Sequence, residues 1–95
     1  MFKKDDFGKP INEKLSKILR RNTTKEDFAN IASVTRISFS TIRDVVYRTN
    51  SLTISNSKAI ASLVNTAFQN SLARQLQAEG DKIFLDRMLH SFTEN

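Results

Sequence analysis

The sequence predicts an all-α protein, a compact bundle of five to six short helices with an additional C-terminal helix, and three observations lead there. The chain has one proline and two glycines among its 95 residues, whereas sheets need turns built from such residues. Several stretches repeat apolar residues at three- and four-residue spacing. The links between them are rich in Asn, Ser and Thr, the types that cap helices.

Residues 1–9 are polar and read as a flexible basic tail. Pro10 suits a first helical turn, where its missing N–H costs nothing. Ile11, Leu15, Ile18 and Leu19 then form one apolar stripe, with Lys14, Lys17, Arg20 and Arg21 elsewhere. The first helix is expected over 10–21. Asn22-Thr23-Thr24 interrupts it, and Thr23 or Thr24 can cap the next. Glu26 and Asp27 fall in that helix's first turn, where the dipole favours acids, and Thr24 with Asp27 is close to a capping box. Phe28, Ile31 and Ala32 are its buried side, and its end is expected near Ser33 or Val34.

Thr35-Arg36-Ile37-Ser38 reads as a turn with one apolar anchor, and Ser38 as the cap of a third helix. The β-branched Ile42, Val45 and Val46 also suit a strand, but their i, i+3, i+4 spacing favours a helix. Residues 49–56 form a polar link pinned by Leu52 and Ile54. Ser55 or Asn56 can cap a fourth helix carrying Ala59, Ile60, Leu63, Val64, Ala67 and Phe68. Residues 71–79 either extend it or stand apart, with Leu72 and Leu76 in phase. Gly80 is expected to stop the helix. Asp81 then caps a last one bearing Ile83, Phe84, Leu85, Met88, Leu89 and Phe92. The chain divides accordingly into the tail (1–9), a core domain (10–70) and a helical extension (71–95).

The chain has no cysteine, which removes disulfides, thiolate metal sites and cysteine nucleophiles together. Its net charge is +5, unevenly spread. Residues 1–22 hold seven basic and three acidic side chains, whereas residues 71–95 hold three and four. A basic front favours a polyanionic partner. The opening Lys3-Lys4-Asp5-Asp6 is followed by no apolar stretch, unlike an export signal. No run approaches the ~20 apolar residues of a membrane span, so a soluble, cytoplasmic protein is expected. His90 is the lone histidine, no glycine-rich loop exists, and the acid pairs Asp5-Asp6 and Glu26-Asp27 lie in a tail and a helix start. No catalytic set is visible, and neither an enzyme, a cofactor, a metal nor a small-molecule ligand is expected.

Three short helices and a fourth, with a tight link between the second and third, is a helix-turn-helix layout. Ala32 supplies the small residue where the two helices cross, Ile37 the apolar plug, and Ile42 and Val45 the buried face. Ile31-Ala32 and Ile37-Ser38-Phe39-Ser40-Thr41-Ile42 resemble the core of the Cro and phage-repressor (lambda-repressor-like) helix-turn-helix family. Arg48-Thr49-Asn50 through Ile60-Ala61-Ser62-Leu63 is similar to its next loop and helix. The family usually has glycine in the turn; Arg36 stands there in this chain.

The resemblance implies a sequence-specific regulator of transcription whose partner is double-stranded DNA. The helix starting near Ser38 would enter the major groove. Ser38, Phe39, Ser40, Thr41, Arg43, Asp44 and Tyr47 then become candidates for base contact. Arg43 leads them, since a guanidinium can bond guanine O6 and N7 together. Ser40 and Thr41 have capping as a second use, Phe39 has the core, and Asp44 needs a basic partner such as Arg43 or Arg48. Thr24, Lys25, Arg36, Arg48, Asn56 and Lys58 are the phosphate-contact candidates at the edges of the motif. The apolar last helix suggests a homodimer, with recognition helices about 34 Å apart. The same features also fit a helical protein-interaction module, or an antitoxin-like protein that binds a partner through its tail.

Overall fold

The computed structural model describes residues 1–93 and the side chains of residues 1–91. Among them the chain is all-helical. A 3-10 turn at Lys4–Asp6 precedes α1 (Glu13–Asn22), α2 (Lys25–Thr35), α3 (Phe39–Val46) and α4 (Ile54–Thr93). Four α-helices thus replace the expected five to six.

The caps explain where the helices begin. Asn12 starts α1, its Oδ1 accepting the N–H groups of Lys14 (2.7 Å) and Leu15 (3.4 Å). This corrects the start expected at Pro10: a proline there satisfies no free donor, whereas the asparagine satisfies two. Thr24 and Asp27 complete a full capping box on α2, with Oγ1 and Oδ2 accepting each other's backbone N–H at 3.2 and 2.9 Å. Ser38 caps α3.

The first half of α4 packs on α1, α2 and α3. Ala59, Ile60, Leu63 and Ala67 meet Leu19, Phe28, Ile31, Ile42, Val45 and Val46 in one core, closed by Leu52. Within it the buried Ser16 hydroxyl donates to the Val46 carbonyl at 2.6 Å, tying α1 to the end of α3. This bundle, the head, holds α3 by its apolar side and this one hydrogen bond.

The expected loose tail is instead folded onto the head. Phe2 and Phe7 pack against the core. Gly8 N–H donates to Leu52 O (2.8 Å) and Leu52 N–H to Lys9 O (3.0 Å). Two aromatic side chains and a pair of backbone bonds offset the entropy of ordering a short segment.

Gly80 does not stop α4, and Asp81 caps no separate helix. Glycine in a helix interior costs about 1 kcal/mol but keeps its N–H, so the backbone ladder continues. Ala73, Arg74, Gln75, Leu76, Gln77 and Ala78 before it are good helix formers, and no proline follows. A helix of 40 residues spans about 60 Å, which gives the molecule its 64 × 26 × 20 Å extents. Asn70 Nδ2 donates to Asn22 O (2.9 Å) and Asp27 Oδ2 (3.2 Å). The Arg74 guanidinium bonds Asn22 Oδ1. Beyond these tethers α4 projects as an arm, with residues 71–91 exposed. No helix among the described residues is long and apolar enough to cross a membrane.

Candidate nucleic-acid interface

The joint between α2 and α3 is three residues long. Arg36 ends α2 in the left-handed conformation (φ 62°, ψ 23°), its N–H donating to Ala32 O at 2.9 Å. Ile37 packs against the core. Ser38 Oγ accepts from Thr41 N–H (3.1 Å) and donates to Thr41 Oγ1 (2.7 Å). A left-handed residue with a Cβ costs about 1–2 kcal/mol. Arg36→Gly should therefore raise the melting temperature by roughly 4–8 °C in a thermal melt followed by circular dichroism. A fall would show that the Arg36 side chain stabilises the turn in some other way.

α3 has two unlike sides. Ile42, Val45 and Val46 are fully buried. Ser40, Arg43 and Tyr47 are exposed, with Phe39, Thr41 and Asp44 half-buried at the border. Among these, Ser38, Ser40 and Thr41 are bonded or close to one another at the helix start, with Ser38 and Ser40 hydroxyls 3.3 Å apart. Phe39 leans on Phe28, ring centroids 5.8 Å apart, and so belongs in part to the core. Arg43 turns to its neighbour, with Nε and Nη2 each 3.1 Å from Asp44 Oδ1. An exposed pair of this kind is worth little, so the guanidinium can exchange its carboxylate for another acceptor at small cost.

Lys25, Phe28, Phe39, Arg43 and Tyr47 line one cleft of about 250 Å³ between the start of α2 and the outer side of α3. Arg20 of α1 stands over the Tyr47 ring, 5.3 Å from its centroid. Three cations therefore border an aromatic slot: Lys25 and Arg43 on its wall, and Arg20 over the Tyr47 ring at its edge. Of the expected phosphate contacts, Thr24 and Lys25 at the α2 start and Arg36 in the joint are exposed beside α3 in the chain.

The others are placed differently. Arg48, also left-handed (φ 65°), donates through Nε to Ile11 O at 2.7 Å and sits 3.7 Å from Glu13. That guanidinium fastens the chain before α1 to the end of α3. Asn56 is corrected outright: it is 4% exposed and wholly engaged. Its Oδ1 accepts Thr53 N–H (2.8 Å), its Nδ2 donates to Ser51 O (3.2 Å), and its own N–H donates to Thr53 Oγ1 (3.2 Å). Thr53, not Ser55 or Asn56, is thus the residue before α4 whose side chain accepts from its first turn. Lys58 is exposed on α4 and lines no part of the cleft.

Sequence reasoning missed Arg20 and Phe28 as parts of this surface. Phe28 read simply as core, and Arg20 as one of several cations off the α1 stripe. Nothing local links Arg20 to Tyr47, which lies far along the chain on another helix. No family model matches the chain, and neither a curated protein nor a solved structure matches it.

Proposed function

We propose that this protein binds double-stranded DNA sequence-specifically, as a small regulator of transcription, with α2 and α3 as the two members of a helix-turn-helix and α3 in the major groove. One observation carries the reading: α3 buries only its apolar side and offers Ser40, Arg43 and Tyr47 outward, beside a cleft bordered by Lys25 and Arg20. The head also carries the positive charge, with twelve basic and six acidic residues in positions 1–70. Arg43 is the base-reading residue, and Ser40 and Tyr47 flank it. Lys25 and the free N–H groups at the start of α2 hold a phosphate, with Arg20 and Arg36 as further phosphate contacts. The Arg43–Asp44 pair and the exposed apolar residues of α4 favour the alternative, a protein-interaction role, since an acid beside the reading residue opposes phosphate.

Titration of labelled duplex DNA by fluorescence anisotropy at several salt concentrations tests this. Affinity should fall with salt, each phosphate contact adding about 0.9 to the slope of log affinity against log salt. Lys25→Ala should weaken binding to all sequences alike and lower that slope by about one unit. Arg43→Ala should instead flatten the preference between sequences, by about 1–3 kcal/mol at one base pair. Both side chains are exposed, so the variants should melt like the parent. Absence of binding at the lowest salt would reject DNA as the partner and leave the protein-interaction reading.

A further inference from the structure

We propose that the projecting arm of α4 is the contact surface for a second copy of this chain, the two arms crossing antiparallel at Gly80. The inference stands on the arm alone and does not require the head to bind DNA.

The arm exposes more apolar surface than a single chain sustains. Leu76, Phe84 and Leu89 are each 64–65% exposed, and Leu72, Ile83, Leu85 and Met88 are 38–59% exposed. Those on Gly80's side of the helix, Leu72, Leu76, Ile83, Phe84 and Met88, amount to roughly 500 Å² per copy at ~200 Å² for each large side chain, so a pair reaches the ~1,000 Å² total that marks a specific interface. Monomers rarely show a contiguous apolar patch beyond a few hundred Å². A helix leaving its bundle also gains most of its stability from packing, and among the described residues nothing packs on this one beyond Arg74.

The pattern of the arm specifies the packing. Every fourth residue from 72 to 88 forms one row: Leu72, Leu76, Gly80, Phe84 and Met88. Such i±4 rows are ridges, and two of them interdigitate when helices cross at about −50°. Glycine sits at the centre, with two large side chains on either side. A Cβ at Gly80 would meet nothing within 4 Å, so the single chain has no use for glycine there, although it costs the helix about 1 kcal/mol. At a crossing point it lets two backbones approach closely.

Charge identifies the occupant and its direction. The described arm carries Arg74, Lys82 and Arg87 against Glu79, Asp81 and Asp86, and is neutral. It has no positive flank for a nucleic acid or an anionic lipid surface, and it does not repel its own copy. The heads, each with six excess positive charges, do repel one another. Antiparallel arms send them to opposite ends, with Leu76 facing the partner's Phe84.

Sedimentation equilibrium of the full chain from micromolar concentration upward should give twice the 10.8 kDa chain mass. Gly80→Leu replaces a poor helix former with a good one, so helix content should hold or rise while association weakens by about a hundredfold or more. Because the chain lacks cysteine, Leu76→Cys and Phe84→Cys proteins can be mixed and oxidised, and the mixed disulfide should dominate. A strict monomer, or a dimer indifferent to Gly80→Leu, overturns the proposal. Like-with-like disulfides in excess overturn the antiparallel crossing.

Discussion

Truncation of Ile42 to alanine is expected to lower stability by about 2–5 kcal/mol and the melting temperature by roughly 10 °C or more. Ile42 is wholly buried, alongside Val45 and Val46, and these three side chains hold an eight-residue helix that could not persist alone. A chain of this length has about 5–14 kcal/mol in all, and its core comes from the head only. The loss is therefore a large share of the total. Thermal melts at fixed protein concentration check it, with Arg43→Ala as the exposed control on the same helix, expected within about 0.5 kcal/mol of the parent. Near-identical melting of the two variants would mean that α3 is not seated through Ile42.

The second large effect is expected at Asn56. Asn56→Ala removes the acceptor for Thr53 N–H and the donor to Ser51 O together. Loss of the Asn56 half of this reciprocal cap costs about 1 kcal/mol, and the part-buried Ser51 carbonyl left without its partner costs about 1–3 kcal/mol more. A total of about 2–4 kcal/mol should appear in urea unfolding as a lower midpoint with an unchanged slope. Asn56→Asp keeps the acceptor but sets a carboxylate against the Ser51 carbonyl, so it should rescue little. A midpoint shift under about 0.5 kcal/mol for Asn56→Ala would show that Thr53 alone starts α4.

These two sites differ in how far the sequence exposes them. Ile42 is legible: its spacing to Val45 and Val46 marks a helical face, and Ser38 four residues before it marks the cap. Thr24 with Asp27, and Ile37 in the turn, are legible for the same reason, since each signal lies within one or two turns of its effect. Asn56 misleads because one residue type serves both a buried network and an exposed phosphate contact, and only burial separates the two. Arg48 misleads similarly, since its acceptor, Ile11 O, is 37 positions away. The cleft joins α2 to α3, and its Arg20 rim comes from α1, so no local pattern announces it. Gly80 is the inverse case. Its residue type suggests an end, but neighbouring propensity outweighs one weak link, and only the continuous helix gives the glycine another purpose.

That continuity has a mechanical consequence. Because α4 passes from Ile54 to Thr93 unbroken, angle and reach along it are locked to residue count. Each residue inserted between Arg74 and Gly80 would turn the far ridge by about 100° about the rod and push it outward by about 1.5 Å. One extra residue would swing the ridge well out of phase with the head, whereas seven would return it to within about 20° at a distance about 10 Å greater. In the proposed dimer the rod would thus work as a vernier, on which the separation and mutual twist of two heads are written in the length of a single helix.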